Sequence, residues 1–341
     1  MSAVLEALHK AVARENLSAA EAYAALEEIL GGGASESAVA GLLTALRMKG
    51  ETVDEVVGFA RALRDHATRV ECGDDPRPLV DTCGTGGDGA QTFNISTASA
   101  FVVAGAGARV AKHGNRSISS ACGSADVLEE LGARLALEPA RIARCVDEVG
   151  IGFLYAPALQ PAMRHVQPIR AALKMRTVFN LLGPLANPAG AQVQVVGVYH
   201  AGLVKLVAEA LAKLGIRRGL VVHGSDGLDE ISTTGATLAA EVGQGRMREH
   251  TLGPEDFGVV PAAREKLAGS DRIENASIVR GVLGGEKGPR RDIVLVNAAA
   301  ALKTAGLAAD WGAGMALARE SIDSGRALET LTRFIRFTQA G

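Results

Sequence analysis

Aromatic residues are scarce in this chain of 341 residues: they fill 4% of positions and include a single tryptophan. Proteins that hold single-stranded nucleic acid stack bases on aromatic faces, and so thin a supply excludes such a platform. An excess of positive charge is missing as well, with 36 Lys and Arg against 38 Asp and Glu. The basic footprint of a duplex-binding protein is therefore not there, and no nucleic-acid partner is expected. Cysteine is limited to Cys72, Cys83, Cys122 and Cys145, and no two of them form a CxxC pair. That excludes a zinc ribbon and a thioredoxin-like redox motif. A disulfide framework is not expected in so long a chain, and reduced thiols fit the cytoplasm. No apolar run reaches the roughly 18 residues of a membrane span, and the first residues carry no signal-peptide h-region. No membrane partner is expected.

What the chain does have is apolar mass, 48% of positions, with 41 glycines and much alanine. The first 70 residues read as helices only. Ser18 to Glu21 and Thr52 to Glu55 are capping boxes, each leading into apolar residues at helical spacing. A polar linker with two prolines, Glu71 to Pro78, follows. Strand and helix signals then alternate: Leu79–Cys83 and Arg109–Lys112 as strands with a helix from Ser96 to Gly107 between them, helices from Ser124 and Pro139, and a strand at Ile151–Tyr155. The alternation breaks between Pro157 and Pro188, a proline-rich stretch with helical pieces around Met163 and Arg176. It resumes with a strand from Val193, a helix at Leu203–Leu214 and a strand at Leu220–His223. A hairpin is expected over Glu241–Leu252 and helices over Ala262–Leu267, Ile273–Leu283 and Asp292–Ala305, with a loop at Gly284–Arg291. The expected fold is α/β: a large, mostly parallel sheet domain flanked by helices (74–163 and 189–341), plus a small all-helical domain (1–70 and 164–188).

Two polar loops follow the first two strands. Gly84-Thr85-Gly86-Gly87-Asp88-Gly89 matches GxGxxG, which raises a dinucleotide fold. That fold needs an acidic residue about 20 positions on; Arg109 and Lys112 stand there instead, and no GK[ST] supports a nucleotide P-loop. What remains is a run of exposed amides with Thr92, Asn94, Ser96 and Thr97 at a helix start, where orphan N–H groups and the helix dipole favour phosphate. The second loop, Lys112 to Ser120, holds Lys112, His113, Asn115 and Arg116 with Ser117, Ser119 and Ser120. Lysine is a compact charge suited to diphosphate, and an asparagine can read a polar substrate group. Asp229 and Glu230 follow the strand Leu220–His223 and suit a hard cation such as Mg²⁺, its shell completed by water and phosphate oxygens. Together these features predict a phosphorylated ligand with a metal counterion.

GTGGD at 84–88, NIST at 94–97, KHGNR at 112–116, GSADVLE at 123–129, RTVFNLLGPLANP at 176–188, DEIS at 229–232 and GPRRD at 288–292 resemble the anthranilate phosphoribosyltransferase family over nearly the whole chain. The resemblance implies Mg²⁺-dependent transfer of phosphoribose from 5-phosphoribosyl 1-diphosphate to the amine of anthranilate, in tryptophan biosynthesis. It implies a homodimer formed through the helical domain. By matching motif, Gly84, Gly87, Asp88, Thr92, Asn94, Ile95, Ser96, Thr97, Lys112, His113, Gly114, Asn115, Arg116, Ser117, Ile118, Ser119, Ser120 and Ser124 surround the donor. Ser96, Asp229 and Glu230 hold metal. Gly84, Asn115 and Arg170 meet anthranilate, and Lys112, Asn115 and Arg170 are the expected catalytic residues. Members often read APxxHPAMK before the arginine, whereas this chain has Gln160 in the histidine position. Two other readings share the architecture: a pyrimidine nucleoside phosphorylase, against which Asn115 speaks because such loops usually run KHGGR, and a non-catalytic nucleic-acid-binding relative.

Overall fold

The computed structural model describes residues 2–117 and 122–340. Four helices open the chain: α1 (Ala3–Val12), α2 (Ala19–Leu30), α3 (Glu36–Lys49) and α4 (Val53–Asp65). Both expected capping boxes form. Glu21 accepts the Ser18 N–H at 2.9 Å, and Glu55 accepts the Thr52 N–H at 2.8 Å. Glu55 is fully buried because it also accepts the Leu17 N–H at 2.9 Å and pairs with Lys49 at 3.0 Å. A buried carboxylate is tolerated only when its lone pairs are satisfied in this way.

The sheet region follows as β1 (Leu79–Gly84), α5 (Ile95–Gly105), β2 (Arg109–Gly114), α6 (Ser124–Glu130), α7 (Pro139–Val149) and β3 (Ile151–Tyr155). The irregular stretch holds α8 (Ala156–Leu159), α9 (Gln167–Leu173) and α10 (Phe179–Leu185). Then come β4 (Val193–Gly197), α11 (Leu203–Lys213), β5 (Arg218–Gly224), β6 (Thr237–Gly243), β7 (Arg246–Leu252), α12 (Arg272–Leu283), α13 (Pro289–Ala305), α14 (Trp311–Asp323) and α15 (Arg326–Gln339). One seven-stranded sheet runs in the order β3-β2-β1-β4-β5-β6-β7. The first five of these are parallel, and the β6–β7 hairpin adds antiparallel strands at one edge. The expected fold class is borne out.

β1, β2 and β4 are buried nearly end to end, as strands covered on both faces must be. α13 covers β1, β4 and β5 and is itself buried along most of its length. β1 is central, with β2 on one side and β4 on the other. Ligands of open α/β sheets bind outside the strand ends at such a reversal point. Val166, Ile169, Val178, Phe179, Leu181 and Leu182 share one apolar cluster with α1 to α4. Among the described residues, no helix is long and apolar enough to cross a membrane.

Some local expectations shift. Arg176 lies in the extended link between α9 and α10 rather than in a helix. Of Ala262–Leu267 only a 3₁₀ turn at Arg264–Leu267 forms. The loop expected to run to Arg291 stops at Gly288, because Pro289 takes the first helical position, where its missing N–H costs nothing.

Candidate active site

The site starts at a seam. β1 ends at Gly84 and β4 at Gly197, and these residues are direct partners in the sheet. Asp229 lies across them. A Cβ on Gly84 would strike the Asp229 carboxylate, and a Cβ on Gly197 would overlap the Asp229 carbonyl oxygen. Only glycine at both positions lets the acidic turn close onto the strand ends. The Gly86 N–H donates to Asp229 Oδ2 at 2.8 Å, and the Thr85 N–H donates to the Gly197 carbonyl at 2.9 Å. The glycine loop and the acidic turn, about 140 residues apart in sequence, are thus one structural unit. Gly86, Gly87 and Gly89 have φ of 65°, 74° and 71°. That left-handed backbone makes a concave row of amides of the kind that binds anions.

Lys112 comes from β2 and is 3% exposed. Its ammonium donates to the Thr82 carbonyl and, at 3.3 Å, to Ser96 Oγ. The Ser96 N–H, at the start of α5, donates to Glu230. Lys112, Ser96 and Glu230 therefore meet, with Asp229 beside Glu230. Asp88 from the glycine loop joins them through a hydrogen bond with Asp229. Burial and the charge of Asp88 push the Asp229 carboxyl up to about 7, against the pull of the Gly86 N–H. Burial and Asp229 push Glu230 well above the usual carboxylate range, with Lys112 opposing.

This is a surplus of negative charge in a poorly solvated place, and a hard divalent cation answers it. Among the described residues no group of three or more His, Cys, Asp or Glu side chains is arranged to hold a metal by itself. A cation here would take much of its shell from ligand oxygens and water, as magnesium commonly does. The pH consequence follows from the sign. A carboxyl raised from 3.8 to about 7 in the folded state binds protons that the unfolded chain has lost. Metal-free protein is therefore expected to lose stability as pH rises from about 4 to about 7, and magnesium to restore it at the upper end. Thermal unfolding across that range, with and without magnesium, checks this; a flat metal-free profile would contradict it.

The rest of the second loop is stapled to α6. Ser124 Oγ donates to the Asn115 carbonyl at 3.2 Å, and Asp126 accepts the Ser117 N–H at 3.1 Å and the Gly123 N–H at 2.9 Å. Gly114 packs under Ser124 and the Phe153 ring. Arg116 is engaged with Asp126 at 3.0 Å, Glu129 at 2.8 Å and the Tyr155 hydroxyl at 3.1 Å. His113 is buried, its Nδ1 3.0 Å from the Gly183 carbonyl, and burial pushes its pKa down, with Asp81 opposing. Ile118, Ser119 and Ser120 lie outside the described residues.

In the α5 approach, Thr92 bridges to Ala268, and Asn94 donates to the Cys122 carbonyl at 3.1 Å while accepting from Asn275 at 3.1 Å. Ile95 and Thr97 are buried; the Ile95 N–H donates to the Phe93 carbonyl at 2.8 Å, and among the described residues the Thr97 hydroxyl has no partner. Arg170 on α9 stacks 5.6 Å above the Phe179 ring and, among the described residues, has no ion pair. It stands apart from the Lys112 network. Gln160 is 5% exposed and its amide donates to the Ala186 carbonyl at 3.4 Å, so it packs into the structure.

Three neighbours of the site take no role from the sequence motifs, although Arg176 and Asn187 lie within RTVFNLLGPLANP. Fully buried Asp81 accepts the His113 N–H at 3.1 Å and the Asn187 amide at 2.8 Å, and Asn187 also donates to the Ala111 carbonyl at 2.9 Å. This pair fixes the backbone on either side of Lys112. Arg176 stacks 4.1 Å above the Tyr199 ring and donates to the Gly87 carbonyl, tying the glycine loop to the α9–α10 link. The motif at 176–188 and a strand aspartate are the signals the sequence offers; it does not show their partners.

Comparison with known proteins places this geometry. Residues 76–328 match the glycosyl transferase family a/b domain, and residues 5–67 match the helical bundle domain of the same family. An anthranilate phosphoribosyltransferase of Rubrobacter xylanophilus is 56% identical over 98% of this chain and 97% of its own. The crystal structure of anthranilate phosphoribosyltransferase from Thermus thermophilus superposes with a TM-score of 0.93 at 45% identity, covering 100% of both chains. The Saccharomyces cerevisiae anthranilate phosphoribosyltransferase in complex with PRPP and Mg gives 0.90 at 30% identity, covering 99% of this chain and 98% of that one.

Proposed function

The chain belongs to the anthranilate phosphoribosyltransferase family, and we propose that its two loops and acidic pair hold 5-phosphoribosyl 1-diphosphate while Arg170 receives anthranilate. The reaction transfers phosphoribose to the anthranilate amine and releases diphosphate, a step of tryptophan biosynthesis. One observation carries the assignment of residues: Gly86, Ser96, Lys112, Asp229 and Glu230 form a single hydrogen-bonded and electrostatic network at the sheet's reversal point.

In the reaction the bond from the sugar's C1 to the diphosphate oxygen breaks, the bond from C1 to the anthranilate nitrogen forms, and the amine proton leaves. The sugar passes through oxocarbenium character, as in other glycosyl transfers. An aryl amine is unprotonated at neutral pH, so the protein's work is positioning and electrostatic stabilisation. Lys112 and the amides of Gly87 to Gly89 face the departing diphosphate. Asn115 and Ser124 border the sugar. Ser96, Asp229 and Glu230 would hold magnesium, which when bound neutralises diphosphate charge. The Arg170 guanidinium takes the anthranilate carboxylate as a charge-assisted pair.

The helical lobe (1–70 and 164–188) carries Arg170, and the sheet lobe (74–163 and 189–341) carries the donor cradle, so approach of the two lobes joins acceptor to donor. Val12 and Met48, 68% and 72% exposed on the helical lobe, support a homodimer formed there. The composition and thiols support a cytoplasmic enzyme.

Mixing the protein with 5-phosphoribosyl 1-diphosphate, magnesium and anthranilate and following anthranilate fluorescence tests the assignment. Loss of fluorescence is expected, with no cleavage of a pyrimidine nucleoside by phosphate; the reverse pattern would favour the nucleoside phosphorylase reading. Arg170→Ala is expected to raise KM for anthranilate by about 10- to 100-fold, the worth of one charged hydrogen-bonded contact. Initial rates against anthranilate check this, and unchanged KM and kcat would remove Arg170 from the site.

A further inference from the structure

A cavity of about 810 Å³ opens at the end of the sheet opposite the glycine loops. Its walls are the segment that joins α4 to β1, the segment that joins α10 to β4, and the turn before β5. The first two are crossings between the helical lobe and the sheet. β1 begins at this cavity with Leu79 and ends at the glycine loop with Gly84, so its six residues span about 20 Å between the two places.

Arg64, Arg69 and Arg217 line the cavity, and among the described residues none of them has an ion pair. By contrast Arg77 and Arg109, on the same wall, are already paired with Asp75 at 2.6 Å and Asp147 at 2.5 Å. Arg64 donates from Nε to the Leu185 carbonyl at 2.6 Å, and among the described residues the rest of its half-buried guanidinium has no hydrogen-bond partner. Burial pushes its pKa down, the mark of a cation short of compensation. Gln194, from β4, also lines the cavity and is 1% exposed. Its amide nitrogen donates to the Pro184 carbonyl at 2.7 Å, and among the described residues its Oε1 has no partner. A buried acceptor left unpaired is costly. Exposed Glu71 and Asp74 sit in the first crossing, where water screens them.

We propose that this cavity is a second anion site, for a small phosphate-class oxyanion, separate from the donor cradle. Arg64, Arg69 and Arg217 supply charge and N–H donors to its oxygens, above the buried Gln194 side chain. Because Arg64 belongs to α4 and Arg217 to the turn before β5, the bound anion ties the helical lobe to the sheet at their crossing. It is thus placed to bias how the lobes approach at the far end of β1.

Cys72 lines the same cavity and is half-buried, whereas Cys83, Cys122 and Cys145 are buried. Its alkylation, mapped by peptide mass spectrometry at constant ionic strength, reports on this place and not on the donor cradle. Inorganic phosphate is expected to slow Cys72 alkylation in the full chain. In Arg69→Gln/Arg217→Gln, both exposed positions, the phosphate needed for half-protection should rise at least about tenfold. Unchanged unfolding temperature without phosphate verifies that the double variant is folded. Alkylation of wild type indifferent to phosphate, or equal protection in the folded double variant, would overturn the proposal.

Discussion

Replacing Lys112 by alanine is expected to lower kcat by roughly 10²- to 10³-fold, the range for losing one preorganised charged donor at a site of developing charge, while the chain stays folded. The ammonium is the cation that opposes the upward shift of Glu230, which burial, Asp229 and Asp88 drive. Its removal does two things at once. The departing diphosphate loses a fixed counter-charge, and Glu230 holds its proton to still higher pH, where the proton competes with magnesium. The fold should persist because β2 is held to β3 by backbone pairing that includes Lys112 opposite Phe153. Alanine leaves Glu230 without its opposing cation, and the carboxyl answers by keeping its proton. Steady-state rates beside a thermal unfolding curve check both halves. An unchanged kcat would show that the buried lysine is a strut and not part of the donor site.

Gly197→Ala is expected to cost about 1–3 kcal/mol of stability and to lower kcat/KM for the donor by about 10²-fold, as displacement of site groups by about 1 Å can. The residue itself touches no substrate. Its methyl group would overlap the Asp229 carbonyl oxygen, which is backbone and cannot rotate aside. The acidic turn must lift, and with it go the Gly86–Asp229 hydrogen bond and the contact that places the glycine loop. Unfolding midpoints and donor kinetics at saturating anthranilate measure the two effects. Wild-type kinetics in a destabilised variant would separate the seam from catalysis and contradict this coupling.

That seam marks the boundary of what the sequence makes legible. The glycine loop, the Lys112 loop and the Asp229–Glu230 pair can be read because each is a dense local run of one chemical character beside a strong strand signal. The parallel sheet follows from strands alternating with helices. Gly197 cannot be read this way: it is one glycine at the end of an ordinary apolar strand, and its importance comes from a partner 32 positions later in the chain. Asp81 and Asn187 are similar, since each is a lone polar residue whose partners arrive from other elements. Arg116 shows the converse. In the loop it reads as a phosphate ligand, but α6 brings Asp126 and Glu129 onto its guanidinium, and helical periodicity alone does not say which face those carboxylates will present to the preceding loop. His113 likewise gains its place from Gly183, on a helix that the proline-rich stretch conceals. Residue type announces what chemistry is available, and long-range packing decides which groups remain free to perform it.

The central claim is that the two loops and the acidic pair are one magnesium-dependent donor cradle. Calorimetric titration of 5-phosphoribosyl 1-diphosphate into the protein, with and without magnesium, tests it most directly when repeated on Asp229→Asn/Glu230→Gln. Magnesium is expected to tighten donor binding in the wild type, and this gain to disappear in the double variant, while weaker magnesium-independent binding through the glycine loop and Lys112 remains. Equal donor affinity with and without magnesium in the wild type, or a full magnesium response in the folded double variant, would contradict it.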